Sequence, residues 1–307
     1  MSPVRRGVKG DAPKIAQRVA EQLARDARVE PLVSATFSRQ EFEFALVHST
    51  QPVWVDDSNG RFRGHLYGAT FDDPLHGRQT WTGPDGYSYE VPDVLDNLCE
   101  HAYRAWREEG SSAHLVWALA GNGTQAWIER GYRIVSVRGS QKLNAVVEIS
   151  WPPRHRVRPA TTADLATALA FDDLIDRAQG VDPESVTDRQ RAANTATIVD
   201  LLEDPECHYY FVEVDDVPIA QCTTFALPEL RGNYPDTVHI GSLAVTPAFQ
   251  RRGLATTLMH LVMNVALEAG YGYAEVRWHI DNEPATSLWS ALGFHPTYVQ
   301  LRRSLAD

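Results

Sequence analysis

Apolar residues along this chain follow two rhythms. Ile15, Val19 and Leu23 recur four residues apart, as do Val94, Leu98 and Ala102 with Ala105 beyond them; both runs predict amphipathic helices. Leu258, Leu261, Val262, Val265, Ala266 and Ala269 mark a third helix, and Gly270 suits its C-terminal stop. Elsewhere the pattern shortens. Tyr209 to Val214 and Pro218 to Ala226 predict two strands around Asp215-Asp216, and His239 to Val245, Tyr273 to Ile280 and Tyr298 to Leu305 predict three more. In the stretch 273–280, alternation puts Ala274, Val276, Trp278 and Ile280 on one face. Pro52 to Phe71 reads as a hairpin turning at Asp57-Ser58-Asn59-Gly60. Strands interleaved with helices predict an α/β protein with a mixed sheet.

The pattern occurs twice. Ser150-Trp151-Pro152-Pro153-Arg154-His155-Arg156 reads as a connector, because paired prolines continue neither a helix nor a central strand. On either side, a Val-Arg pair precedes an acid: Val4-Arg5 with Asp11, Val157-Arg158 with Asp164. Asp11 and Asp164 are expected as N-caps, accepting from N–H groups of the next turn. Each half also ends alike, with Trp127 before Gly131-Tyr132 and Trp289 before Gly293-Phe294. A divergent duplication follows, with domains at 1–150 and 154–307.

Composition narrows the function classes. Over 307 residues, 29 basic side chains against 40 acidic ones leave a net charge of −11. That surface repels nucleic acid phosphates and favours a cationic partner such as an amine. Three widely spaced cysteines, Cys99, Cys207 and Cys222, suit neither a disulfide framework nor a zinc site. No metal is expected, and a reducing, cytoplasmic setting is. The charged start, MSPVRRGVKGD, is unlike a secretory signal, and no stretch predicts a membrane span.

The chemistry concentrates in His239-Ile-Gly-Ser-Leu-Ala-Val-Thr-Pro-Ala-Phe-Gln-Arg-Arg-Gly-Leu-Ala-Thr-Thr-Leu258, which reads strand, loop, helix. Gln250-Arg251-Arg252-Gly253-Leu254-Ala255 opens the helix, where unpaired N–H groups and the helix dipole make a phosphate site. Gly253 and Ala255 let a diphosphate approach the backbone, and Arg251 and Arg252 add charge. Neither GxxxxGK[ST] nor GxGxxG occurs here.

This [QR]-x-x-G-x-[GA] loop after an apolar-Ala-Val strand resembles the acetyl-CoA loop of the GNAT superfamily of N-acetyltransferases. The run Asn282-Glu-Pro-Ala285-Thr-Ser-Leu288-Trp-Ser-Ala-Leu292-Gly293-Phe294 is similar to that family's Asn-x-x-Ala-x-x-apolar-Tyr-x-x-apolar-Gly-Phe element. The resemblance covers about 157 to 307 and is faint before it. The whole resembles a tandem GNAT of mycothiol synthase-like architecture: two GNAT-like domains, each a central mixed sheet flanked by helices. It implies that strands 239–245 and 273–280 splay apart around the pantetheine arm. Backbone groups of Leu243, Ala244 and Val245 would pair with that arm, and the Val245 N–H would polarise the thioester carbonyl. Gln250, Arg251, Arg252, Gly253, Leu254, Ala255 and Thr256 would hold the diphosphate. Asn282 would bond the pantetheine arm, or cap the helix beginning at Pro284. A neutral primary amine would attack acetyl-CoA directly.

Where the family often places an acid Tyr, this chain has Trp289, so Tyr298 is the substitute candidate, beside release of an unassisted thiolate. For the base the candidate is His239, six residues before Val245 and so expected on the same strand face. Asp236 and Tyr234 could bind a cationic acceptor. Cys222 reads as core. In the first half, Ser88-Tyr-Glu-Val-Pro-Asp93 has neither Gly nor a basic residue, and its acids would repel a diphosphate. The first domain is therefore expected to bind no acetyl-CoA. Alternative readings are a non-catalytic acyl-CoA-binding module and a transferase for another acyl group. A small-molecule amine is the expected partner, without nucleic acid or membrane.

Overall fold

In the computed structural model, which describes residues 4–73, 76–181, 186–226 and 231–306, the helix anticipated from Ile15, Val19 and Leu23 runs Ala12–Val29 (α1) behind a short strand, Val4–Arg6 (β1). There follow α2 (Arg39–His48), β2 (Val53–Asp56), β3 (Gly64–Tyr67), β4 (Ala69–Asp73), β5 (Gly77–Thr82), β6 (Tyr87–Tyr89), α3 (Pro92–Glu108), β7 (Ala113–Leu119), α4 (Gln125–Ile128) and β8 (Arg133–Lys142). The second round comprises β9 (His155–Pro159), α5 (Leu165–Ala178), α6 (Asp188–Glu203), β10 (His208–Val214), β11 (Val217–Ala226), β12 (Thr237–Val245), α7 (Leu254–Glu268), β13 (Tyr273–His279), α8 (Glu283–Ala291) and β14 (His295–Ser304). The hairpins and helices read from the pattern are all present. Ile280 alone leaves its expected face: β13 ends at His279, and Ile280 is exposed while Ala274, Val276 and Trp278 are buried.

Two compact units result. One comprises Met1–Val137, Glu229–Tyr234 and Pro296–Asp307, the other Arg138–Pro228 and Pro235–His295. The chain thus changes unit within β8, and β14 closes the first unit by pairing antiparallel with β7, Tyr298 opposite Leu119. This spatial division departs from the order of the sequence halves because β14 finds its backbone ladder on β7.

In the first unit β1, β2, β3 and β6 form an antiparallel sheet. β4 pairs antiparallel with β5, and β5 parallel with β7. β3 and β4 are consecutive yet belong to different sheets. Gly68 lies between them, where a Cβ would meet Thr80 Cγ2 at 2.7 Å and Thr82 Oγ1 at 2.9 Å, so the strand bends at the residue without a side chain. Ile15, Ala16, Val19 and Leu23 of α1 pack with Phe42 and Val55 as one core. The second unit is one mixed sheet in the order β13-β12-β11-β10-β9, parallel only between β12 and β13. Ala168, Phe171 and Ile198 from α5 and α6 cover Tyr209, Phe211 and Ala244 on it. No helix among the described residues is long and apolar enough to cross a membrane.

The two Val-Arg…Asp segments fold alike, though not as N-caps of the expected kind. Neither aspartate bonds an N–H of the following helix. Each turns back instead: Asp11 accepts from Val8 N (2.8 Å) and two nitrogens of Arg5, and Asp164 accepts from Thr161 N (2.8 Å) and two nitrogens of Arg158. A fixed fork matching a carboxylate outcompetes the capping geometry, since charge-assisted bidentate pairs are the stronger bonds. Arg158 also reaches Glu213 on β10 at 2.6 Å, tying strand, turn and helix together.

The Asp164 carboxyl is held down at about 2, chiefly by its hydrogen bonds from Arg158, against the opposing effect of burial. Its folded value lies below the unfolded one, so the stabilisation is complete above about pH 5 and is lost as pH falls through about 2. Asp164→Asn is therefore expected to cost about 2 kcal/mol at pH 7. Urea unfolding curves of the two proteins should converge near pH 2; a constant gap across pH would refute the assignment.

Candidate active site

β12 and β13 begin as neighbours and do not stay so. Their parallel register runs Thr237↔Tyr273, Val238↔Ala274, His239↔Glu275 and Ile240↔Val276, and ends there. β12 continues to Val245 and β13 to His279. Residues 241–245 thus have β11 along one edge and an unpaired edge on the other.

Hydrogen-bond direction tells which groups that edge offers. Thr246 N donates to Ile219 O of the β11 side at 2.9 Å, and Ser242 N donates to Thr223 Oγ1 at 2.9 Å. In an antiparallel ladder alternate residues point their N–H and C=O to opposite sides. Ser242, Ala244 and Thr246 therefore face β11, while Leu243 and Val245 face the open edge. Gln250 Nε2 donates to Val245 O at 2.9 Å, consistent with that direction. Of the three expected backbone partners, Leu243 and Val245 are presented and Ala244 is spent on the sheet; its side chain packs into the core.

The break in pairing coincides with a bulge. Thr224 pairs with Ile240 and Thr223 with Ser242, leaving Gly241 as an extra residue. A Cβ there would meet Phe225 Cε1 at 2.5 Å and Thr223 Oγ1 at 2.8 Å, so glycine is needed. The extra residue reverses the alternation. His239 shares its face with Ser242 and Ala244 rather than with Val245, and the same-face expectation fails for this reason.

Beyond β12 the loop turns sharply. Arg251 (φ 57°) and Gly253 (φ 78°) are both left-handed, and a Cβ on Gly253 would meet nothing within 4 Å. Gly253 caps α7, whose first helical bond is Thr257 N to Gly253 O at 2.9 Å. The amides of Leu254, Ala255 and Thr256 precede that bond and have no acceptor within the helix. Gln250, Arg251 and Arg252 are exposed. Leu254, Leu258, Met259, Val262 and Ala266 bury the other side of α7, each large side chain contributing about 1.5–3 kcal/mol, which fixes the helix start. A cavity of about 210 Å³ opens beside the loop, lined by Pro152, His155, Phe249, Arg252, Leu254 and Thr257.

At the apex of the splay lies a buried charge that no motif or spacing in the sequence singles out. Glu275 is 0% exposed and stands beside His239, itself 8% exposed. His239 Nδ1 is 3.6 Å from Glu275 Oε1, and Arg277 Nε donates to the same oxygen at 3.0 Å. Burial would raise the Glu275 carboxyl, but His239, Arg138 and Arg277 together hold it well below the usual range. A charged residue between Ala274 and Val276 in an apolar strand was the available signal.

The remaining candidates scatter. Asn282 Oδ1 accepts from Ala285 N at 3.1 Å, so it caps α8. Trp289 is core, edge-on to Phe294 at 5.3 Å. Cys222 is buried, and burial pushes its thiol up. Asp236 receives Gly272 N on its backbone oxygen at 3.0 Å. Tyr234 donates to Pro31 O at 3.1 Å within the first unit. Tyr298 also belongs to the first unit, where it is buried near Asp26, whose carboxyl burial raises to about 6.

Among the described residues of the first unit, the strand β5 does not run on past its pairing with β7 as β12 does past β13. β5 and β7 are paired up to Thr82↔Val116, and Thr82 is the last residue of β5. Only Glu90 and Val91 join β6 to α3, and Glu90 accepts from Arg61 at 2.9 Å and from Arg18.

Comparison with known proteins agrees with this geometry. Residues 170–294 match the acetyltransferase (GNAT) family. No curated protein matches the sequence. Among solved structures, a GCN5-related N-acetyltransferase from Sphaerobacter thermophilus is similar with a TM-score of 0.66 at 17% identity, covering 99% of this chain and 96% of that one. A tandem GNAT protein from the clavulanic acid biosynthesis pathway gives 0.60 at 13% identity over 99% and 98%. A GCN5-related N-acetyltransferase from Kribbella flavida gives 0.52 at 13% over 96% of both. At these identities the likeness is one of fold, and it spans both units. Residues 170–294 thus match the acetyltransferase (GNAT) family, and along its whole length the chain shares the fold of tandem GNAT proteins.

Proposed function

We propose that this protein is an N-acetyltransferase that moves an acetyl group from acetyl-CoA to a primary amine of a small, cationic molecule. The observation that carries this reading is the early end of the β12–β13 pairing at Ile240 and Val276. It leaves Leu243 and Val245 to pair with an extended pantetheine as a strand would. The free amides of Leu254, Ala255 and Thr256, with Gln250, Arg251, Arg252 and Gly253 around them, suit the diphosphate. Asn282 flanks the arm, its oxygen committed to the cap and its amide N–H groups left for the ligand.

In this reading the amine nitrogen attacks the thioester carbon. The C–N bond forms, the C–S bond breaks and its electron pair leaves on sulfur. Charge developing on the carbonyl oxygen is met by the Val245 N–H. The proton shed by nitrogen passes to His239 and on to water. Trp289 offers no acid, and Tyr298 is buried within the first unit, so the thiolate leaves unassisted and takes a proton from water. The net charge of −11 supports a cationic acceptor. The unsplayed β5–β7 pair and the acidic β6–α3 connection support a first domain that binds no acetyl-CoA. Three free cysteines are compatible with work in the reducing cytoplasm.

Calorimetric titration of acetyl-CoA is expected to give one site per chain, and Gly253→Glu to weaken it at least about 100-fold, since a carboxylate would face the diphosphate. Two sites would overturn the silent first domain; no binding by folded wild type would overturn the reading itself. Binding without turnover over an amine panel would favour the non-catalytic module. Val245→Pro deletes the slot-facing N–H and is expected to lower kcat about 100-fold while acetyl-CoA affinity changes only a few-fold. Equal losses in both would remove Val245 from the transition state.

A further inference from the structure

We propose that Glu275 is the positioning residue for His239: its carboxylate takes the Nδ1 proton of the imidazole and leaves Nε2 as the proton acceptor at the apex of the slot. This rests on the acyl-transfer reading for its role in turnover, but the pairing itself stands on geometry. His239 and Glu275 are direct neighbours in the parallel register, one step before the last paired residues, Ile240 and Val276. Both lie where the strands part, and both side chains project from the same face of the sheet because the register puts them opposite each other.

Nδ1 of His239 is buried, has no hydrogen bond within ordinary distance, and has the Glu275 Oε1 as its 3.6 Å neighbour. Rotation of the ring or carboxylate by roughly half an ångström closes that gap to a hydrogen bond. Nε2 has no protein partner among the described residues. The Phe225 ring packs at 5.0 Å from the imidazole and limits its rotation. The charged groups facing Glu275 are Arg277 on its own strand and Arg138 on β8, with His239 across on β12. Taking a carboxylate into a sheet interior is costly, and two arginines already neutralise it. A third, titratable partner adds little neutralisation, whereas it gains a fixed tautomer: an imidazole with a carboxylate on one nitrogen is a base on the other. During acyl transfer the amine proton moves to Nε2, the imidazolium formed is stabilised by Glu275, and the proton then leaves Nε2 for water, so Glu275 itself gains and loses nothing.

Nitrogen-15 NMR of the histidine rings in the intact protein tests the pairing without turnover. His239 should carry its neutral-form proton on Nδ1. In Glu275→Gln the neutral ring should lose its preference for the Nδ1 tautomer, because the carboxylate that accepts that proton is gone. An Nε2-protonated ring in the wild type, or an unchanged tautomer ratio in Glu275→Gln, would overturn the proposal. Turnover supplies the second test. In Glu275→Gln kcat should fall about tenfold or more with acetyl-CoA affinity retained. In a His239→Gln background, adding Glu275→Gln should cost nothing further in kcat; full losses in both backgrounds would mean that Glu275 serves the fold alone. If Glu275→Gln does not fold, Glu275→Asp, which keeps the charge and shortens the reach, should keep the Nδ1 tautomer and lower kcat. A switch to the Nε2 tautomer with unchanged kcat would overturn the proposal. Absence of turnover in wild type would defeat the functional reading and leave the NMR result to decide the pairing.

Discussion

Everything at the site follows from two parallel strands that cease to pair. A backbone edge inside a sheet is ordinarily satisfied by the neighbouring strand, and an unsatisfied one costs free energy comparable to lost hydrogen bonds. Here β12 runs on from Ile240 to Val245 after β13 has left it. The extra residue at Gly241 turns the strand at the point of departure, and the ladder to β11 keeps it from collapsing. What remains is a strand-shaped vacancy whose N–H and C=O groups are aimed outward. That edge is the feature on which the proposed pairing with a pantetheine arm rests.

The second unit shows what that vacancy requires around it. Its mouth is the start of α7, held in place by the burial of Leu254, Leu258 and Met259. Its apex is a carboxylate with no exposure at all, surrounded by a histidine and two arginines. A buried charge is poor evidence of stability, because its desolvation offsets its attractions. Its placement at the one point where the strands divide connects it with chemistry instead.

The first unit makes the contrast. β5 and β7 stay paired to the end of β5. There His114 is wholly buried, with Nε2 at 2.8 Å from Thr82 Oγ1, Nδ1 bonded to the Tyr132 hydroxyl and Trp106 at 4.5 Å. Burial pushes this histidine down to about 3, so it stays neutral and serves packing. In the first unit this place is thus filled by packed side chains.

The α/β class, the duplication, every helix and hairpin named from the pattern, and the loop from Gln250 to Thr256 were legible in the linear order. Each depends on neighbours within a few residues: helical spacing, turn chemistry, a glycine where φ must be positive. What the linear order could not decide was set by partners far along the chain. Strict alternation from His239 to Val245 takes no account of the bulge that β11 and Phe225 impose. Asp11 and Asp164 occupy cap positions in the linear order, which does not reveal the reach of Arg5 and Arg158. Tyr298 follows the second half in sequence, whereas β14 completes the ladder of β7 in the first unit. Glu275 became a candidate only when the parallel register set it beside His239. Local rules act through adjacent residues and so are written in the sequence itself. Strand register, burial and the meeting of distant charges arise from tertiary packing, and the arrangement of the site was decided there.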